Sequence, residues 1–159
     1  MTIRYLKLLI NIIIIPVVGA MVSAHIILNV GVKILRGIKM KKILITGSRG
    51  FNDAELMKQI IRDNVSLLED TIIHGGASGV DAVAQSVCDF YDINQVVVRP
   101  VDRASKISYL FRNSEMVGMA DKVIAIWDGS SKGTKFTIDY ARSRDKLLKT
   151  YRFKHDNNL

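Results

Sequence analysis

The sequence predicts an α/β fold in which a parallel sheet carries helices on both faces. From Lys41 onward, short apolar runs alternate with longer segments of helical spacing. The runs are continuous, as in strands that are buried on both faces, and they are not alternating as in strands with one face in water. Because regular strand–helix alternation produces parallel sheets with right-handed crossovers, these two observations together predict the fold class.

The elements follow one another without internal repeats. The first strand leads into a helix whose start carries the capping-box pair Asn52 and Glu55. The second helix has the clearest helical period, with apolar residues recurring every third or fourth position from Val80 to Tyr91. Pro100 closes the third strand, because proline lacks a backbone donor. We expect strands at residues 43–45, 71–74, 95–99, 122–127 and 150–153, and later helices at 80–91, 107–119 and 134–147.

Composition limits the function classes. The net charge is +8, but residues 1–39 contain five basic residues and no acidic one, which leaves 18 basic and 15 acidic residues in the remainder. An excess of three does not require a nucleic-acid partner, so we do not expect one. The single cysteine, Cys88, cannot form an internal disulfide, and the three histidines are widely separated. We therefore predict neither a disulfide framework nor a metal site.

The N-terminal segment divides the chain into residues 1–39 and a domain of residues 40–159. Residues 8–32 carry no charged side chain and are long enough to span a bilayer as a helix. Three interpretations stay open: a membrane anchor, a cleaved signal peptide, or an extension ahead of a protein that starts at Met40. Basic residues after the apolar stretch outnumber those before it, so an anchor would leave the main domain in the cytoplasm. Without an anchor, we expect a cytoplasmic protein.

The loop after the second strand is the most informative part of the chain. Its sequence is His74-Gly75-Gly76-Ala77-Ser78-Gly79-Val80-Asp81, a strand end, a glycine turn and a helix start. Backbone donors at a helix N-terminus bind anions, which favours phosphate as the ligand. Asp81 could bind a ribose hydroxyl or act as a general base, or it could only complement the helix dipole. His74 is either a site residue or a half-buried histidine with satisfied hydrogen bonds.

Two further loops follow strands at the edge of the sheet where α/β proteins bind ligands. The first supplies Gly47, Ser48 and Arg49, whose guanidinium could fork onto phosphate or remain solvated. It lacks the third glycine of the dinucleotide fingerprint. The loop at residues 128–134 places lysine before glycine, the reverse of a P-loop, so we exclude that class of NTPase. Thr134 could hold phosphate or cap the helix, and Trp127 could stack on a base or pack internally.

Several of these segments, taken in order, resemble one protein family. They are Ile45-Thr46-Gly47-Ser48-Arg49, the run from His74 to Ala82, Arg112-Asn113, and the stretch from Ile126 through Thr134. Over residues 41–144 the chain resembles the SLOG superfamily, in particular its YspA/YpsA-related branch of small bacterial and phage proteins. The resemblance implies a Rossmann-like three-layer α/β/α fold that binds nucleotides.

Related SLOG proteins include cytokinin-activating phosphoribohydrolases, the DNA-processing protein of natural transformation, and sensors linked to phage conflict. The phosphoribohydrolases carry a glutamate where Thr137 stands here, which argues against hydrolysis by their route. Residues 102–110 also depart from the branch, because the expected tryptophan and glycines are absent.

These observations lead to one preferred function and two alternatives. We expect a module that binds a nucleotide or a derivative such as ADP-ribose, as a sensor or processing protein that requires no other cofactor. The alternatives are an N-glycosidic hydrolase with Asp81 as its catalytic candidate, and a single-stranded DNA-binding protein. Membrane contact through residues 8–32 and homo-oligomerisation stay open. The expected ligand-binding residues are Gly47, Ser48, Arg49, Gly75, Gly76, Ala77, Gly79, Asp81, Arg112, Asn113, Asp128, Ser131, Gly133 and Thr134.

Overall fold

The computed structural model describes residues 40–102 and 104–154, so the hydrophobic helix expected near the N-terminus lies outside the described residues. Five strands and four helices alternate along this part of the chain. The strands are β1 (Lys42–Gly47), β2 (Thr71–His74), β3 (Asn94–Val97), β4 (Lys122–Trp127) and β5 (Leu147–Arg152). The helices are α1 (Ala54–Asn64), α2 (Val80–Tyr91), α3 (Lys106–Met119) and α4 (Lys132–Ser143).

The strands form one parallel sheet in the order β3-β2-β1-β4-β5. Helices α1 and α2 cover one face, and α3 and α4 cover the other. Ile43 and Ile45 of β1 pack on the first side while Leu44 between them packs on the second, because successive side chains point to opposite faces. The predicted three-layer α/β/α architecture is therefore confirmed for the described residues.

The order of the strands creates a crevice at the carboxyl edge of the sheet. From β1 the chain moves outward through β2 and β3, and it then returns to add β4 and β5 on the opposite side of β1. β1 and β4 are neighbours in the sheet, but the chain leaves them in opposite directions, so the loops that follow the two strands move apart. Parallel α/β sheets bind ligands at such a switch point, and the candidate site lies here.

Some predicted boundaries were wrong. Asp53 caps α1 in place of the Asn52–Glu55 pair, and its Oδ1 accepts the amide of Leu56 at 2.9 Å. Helix α4 starts two residues earlier than expected because Ser131 caps it, so Thr134 is not the N-cap. It ends at Ser143, since Asp145 takes a left-handed φ of 55° that turns the chain into β5.

The outer strands also differ from the expectation. β3 ends at Val97, two residues earlier than predicted, and β5 begins at Leu147, three residues earlier. β5 pairs in parallel with β4 through a register shift beside Val123 and Ile124. Within residues 40–102 and 104–154, no helix is both long and apolar enough to cross a bilayer.

Candidate functional site

A cleft of about 770 Å³ opens at the switch point between β1 and β4. This volume lies within the range of roughly 300–1,000 Å³ that is typical of small-molecule sites. Its walls come from the loop after β1, the start of α2, the first half of α3 and the first turn of α4. The structure brings ten of the expected ligand-binding residues to this cleft: Gly47, Arg49, Ala77, Asp81, Arg112, Asn113, Asp128, Ser131, Gly133 and Thr134.

The glycine loop after β2 uses its own backbone donors internally. The amides of Gly75 and Ala77 donate to Oδ2 of Asp81 at 3.1 and 3.3 Å. The amide of Gly76 donates to Nδ1 of His74 at 3.2 Å. These donors were expected to bind phosphate, but the carboxylate and the imidazole already satisfy them. The four expected residues outside the cleft lining are Ser48, Gly75, Gly76 and Gly79.

Asp81 faces Arg112 across the back of the cleft. Its Oδ2 lies 3.7 Å from Nη1 of Arg112, and each side chain is only 7% exposed. An arginine in a helix usually extends into solvent, but Arg112 of α3 points into the protein. The arginine turns inward because Gly75 leaves room for it: a Cβ at position 75 would collide with the guanidinium of Arg112.

The attraction between Asp81 and Arg112 does not fully offset the cost of burying their charges. Burial raises the pKa of Asp81, and the amide of Ala77 and the charge of Arg112 oppose that shift only in part. Burial likewise lowers the pKa of Arg112 against the opposing charge of Asp81, although an arginine stays protonated. Within the described part of the chain, Nε of Arg112 has no hydrogen-bond partner. A buried donor of this kind is rare in proteins, and a bound anion would satisfy it.

The first turn of α4 forms the opposite wall. Oδ1 of Asp128 accepts the amides of Ser130 and Ser131, both at 2.8 Å, and these bonds shape the turn that precedes the helix. Desolvation is the largest single influence on the pKa of Asp128 and raises it, but the amides of Ser131 and Ser130 and the hydroxyl of Ser48 together outweigh it and lower that pKa. Gly133 follows in the first turn, and apart from its chain neighbours and the backbone of its own helix, no described atom lies within 4 Å of where its Cβ would stand.

Some of the charged and aromatic residues that line the cleft were not indicated by the sequence. Lys106 and Lys132 join Arg49 and Arg112 in the lining, so four cations face the two carboxylates of Asp81 and Asp128. The ring of Tyr109 lies beside two of these cations, with its centroid 5.9 Å from Cζ of Arg49 and 5.6 Å from Cζ of Arg112. Tyr109 and Lys106 fall in the segment that departs from the family pattern, which is why the resemblance did not indicate them.

Three other residues that the sequence singled out are structural. The Oγ atom of Ser48 accepts the amide of Asp128 at 3.2 Å and so ties the loop after β1 to the loop after β4. His74 is fully buried, and its Nε2 lies 2.9 Å from Oε1 of Gln95. Trp127 lies outside the cleft lining. Its Nε1 donates to the carbonyl of Ser131 at 3.1 Å, and Arg152 covers its ring.

The cysteine belongs to the hydrophobic core. Cys88 is fully buried in the cluster that α1 and α2 form with the sheet. Burial raises the pKa of its thiol to about 12, so it has no thiolate character at neutral pH.

The described residues thus define a Rossmann-like α/β protein with a cationic cleft, and solved structures of this fold include two DNA-processing proteins A (DprA). DprA of Streptococcus pneumoniae matches with a TM-score of 0.59 and 18% identity, over 69% of this chain and 50% of that one. DprA of Helicobacter pylori, whose structure is described for its single-stranded DNA binding mode, matches with a TM-score of 0.52 and 21% identity, over 69% and 64%. The structural-genomics target TM1055 matches with a TM-score of 0.51 and 18% identity, over 68% and 72%.

Likeness at these identities shows the fold, which is the one that the SLOG resemblance implies. The chain spans half of the S. pneumoniae protein and slightly under two thirds of the H. pylori protein. No protein-family model matches the sequence, and neither does any curated protein.

Proposed function

We propose that this chain is a SLOG-type module of the YspA/YpsA-related branch that binds a nucleotide or a nucleotide-derived ligand. The ligand class includes nucleoside phosphates and ADP-ribose, and the module acts as a sensor or processing protein. The ligand lies in the cleft between the loops that follow β1 and β4. Its phosphate contacts the first turn of α4 and the arginines on the opposite wall.

The observation that carries the proposal is the state of Arg112. Its guanidinium is buried at the cleft wall, and its Nε has no hydrogen-bond partner within the described residues. Its Nη1 lies 3.7 Å from Oδ2 of Asp81, beyond hydrogen-bond distance. Nη1 of Arg112 pairs with Asp81 and donates to Sδ of Met116 at 3.8 Å, so the unmet donor is Nε, and a phosphate oxygen there would supply the missing acceptor. The exposed first turn of α4 adds the partial positive charge of a helix N-terminus to the same cleft.

The hydrolase alternative receives less support from the geometry. A general base needs a carboxylate oxygen that can approach the reacting water or ribose. Oδ2 of Asp81 instead accepts two backbone amides and faces Arg112, which is the arrangement of a residue that braces a loop. Binding without turnover is therefore the function we propose.

Thermal unfolding of the full chain with a panel of nucleotides and ADP-ribose tests the proposal. A ligand at 100 times its Kd adds about 2.7 kcal/mol to the free energy of unfolding, which raises Tm. We expect at least one panel member to raise the Tm of the wild type and of Arg62→Gln, a control at an exposed arginine. The same compound should leave Arg112→Gln nearly unshifted. If no compound shifts the wild type, the proposal fails.

Single-stranded DNA is a second candidate, which differs from the expectation that nucleic acid is not a partner. That expectation used the small excess of charge over residues 40–159. The charge is concentrated, however, because residues 132–154 hold eight basic and two acidic side chains. DprA of H. pylori, which shares this fold, binds single-stranded DNA.

Salt dependence separates the two candidates. Binding of a fluorescent oligothymidylate that weakens steeply between 50 and 200 mM salt, roughly as the released counterions predict, would support the DNA candidate. Binding of a mononucleotide should change far less with salt. Absence of oligonucleotide binding at 50 mM salt would exclude the DNA candidate and leave the first proposal intact.

A further inference from the structure

Tyr109 is the one aromatic residue among the described residues that line the cleft. It lies on α3 one turn before Arg112, and its side chain is half-buried. The ring is next to the guanidinium groups of both Arg49 and Arg112, which hold it in place from two separate elements. The cleft thus holds an aromatic ring beside its cations, and phosphate binding does not account for that ring.

Phosphate binding alone does not use an aromatic ring. The cations and the first turn of α4 can hold an anionic group, whereas a tyrosine ring offers a flat apolar face to a planar partner. Bases stack on such rings regardless of their sequence identity, because every base has a π-face. Trp127, another ring near this edge of the sheet, has its indole N–H bonded to the carbonyl of Ser131 and its ring covered by Arg152.

We propose that Tyr109 recognises the base of the ligand by stacking, so that the ligand is a nucleoside phosphate and not a bare sugar phosphate. This inference rests on the proposed function, because it assumes an anionic ligand in the cleft. The phosphate contacts Arg112 and the first turn of α4, and the base stacks on Tyr109. The guanidinium of Arg49, which lies over the ring, either moves together with the ring or moves aside for the base.

A purely structural role for Tyr109 predicts a different pattern of ligand affinities from the pattern that base stacking predicts. If the ring only positions Arg49 and Arg112, then removing it weakens every anionic ligand by the same factor. If the ring stacks on a base, its removal weakens nucleotides alone. The ratio of two affinities therefore distinguishes the two roles, and that ratio does not depend on how the variant changes overall stability.

The experiment measures Kd by isothermal titration for the four nucleoside 5′-monophosphates and for ribose 5-phosphate. The full chain is compared with Tyr109→Phe, which keeps a ring, and Tyr109→Leu, which removes it. Tyr140→Leu is the matched control, because Tyr140 also carries an arginine over its ring but lies outside the cleft lining.

We expect the wild type to bind at least one nucleoside monophosphate about 5- to 100-fold more tightly than ribose 5-phosphate, the range that one stacked base provides. Tyr109→Phe and Tyr140→Leu should keep this ratio, and Tyr109→Leu should bring it close to one. The inference is wrong if ribose 5-phosphate binds the wild type as tightly as the nucleotides, or if Tyr109→Leu weakens both equally. In both cases the proposed function still stands. If none of these probes binds, the inference is overturned, and the wider panel that includes ADP-ribose decides the proposed function.

Discussion

Nη1 of Arg112 lies 3.7 Å from Oδ2 of Asp81, and this buried pair joins α3 to the glycine loop that follows β2. The same carboxylate oxygen accepts the amides of Gly75 and Ala77. One side chain therefore both shapes the loop and faces the cation that we place against the ligand. Substitutions at this pair should act first on stability, whereas substitutions in the first turn of α4 should act first on binding.

Asp81→Ala should destabilise the fold. The substitution leaves the charge of Arg112 buried without its partner and removes the acceptor of two amides. Loss of one member of a buried ion pair costs about 3–5 kcal/mol, which urea unfolding would detect. Asp139→Ala is the control, because Asp139 forms ion pairs on the exposed surface of α4 and should change stability little. An unchanged free energy of unfolding in Asp81→Ala would contradict the bracing role.

Gly75→Ala should also lower stability, for a steric reason. The added Cβ would collide with the guanidinium of Arg112 and would stand 2.8 Å from Oδ2 of Asp81. Overpacking of this kind costs roughly 1–3 kcal/mol. Gly133→Ala provides the comparison, since its Cβ would enter open space within a helix and should raise the free energy of unfolding by about 0.5–1 kcal/mol. Equal effects of the two substitutions would show that the packing at position 75 is looser than described.

Gly133→Asp should separate stability from binding. A carboxylate in the first turn of α4 complements the helix dipole and should stabilise the fold by about 0.3–1 kcal/mol. The same charge occupies the wall where we place the phosphate, so we expect nucleotide affinity to fall at least tenfold. Gly133→Asn, similar in size but uncharged, should retain more of the affinity in the same titration. If both variants bind as the wild type does, the first turn of α4 does not contact the ligand.

The turn before α4 should depend on pH through Asp128. Desolvation is the largest single influence on the pKa of this carboxyl and raises it, but the hydrogen bonds from the amides of Ser131 and Ser130 and from the hydroxyl of Ser48 together lower the pKa below its ordinary value of 3.8. A lowered pKa means that the stabilisation is present above about pH 4 and disappears as pH falls through the folded-state pKa. The difference in urea midpoint between wild type and Asp128→Ala should therefore shrink below pH 4. Asp63→Ala, at an exposed site on α1, is the control.

The fold was largely predictable because most of its strands and helices are specified by residues that are neighbours in the sequence. The bounds of β2, α2 and β4 match the expectation, since continuous apolar runs and a helical period are read directly from neighbouring residues. The end of α4 was not predictable in this way. It depends on Asp145, an aspartate in a left-handed conformation that the sequence pattern alone does not require.

The site was less predictable because it depends on contacts between distant residues. The loops after β1 and β4 line the cleft, as expected where parallel strands place their carboxyl ends together, whereas the loop after β2 contributes only Ala77. The inward turn of Arg112 depends on a glycine and a carboxylate more than 30 positions earlier in the chain, and no local pattern indicates it. The same pairing consumes the amides of Gly75 and Ala77, which in isolation resemble free phosphate donors.

The side-chain N–H of Arg112 offers the most direct measurement. In ¹H–¹⁵N spectra of the full chain, its Nε–H resonance can be assigned by its absence from Arg112→Lys. We predict that titration with AMP shifts this resonance and the amide of Gly133 together, with one shared Kd, as a phosphate oxygen reaches both walls of the cleft. If AMP left both resonances in place, whether or not it shifted others, the phosphate would not lie where we place it.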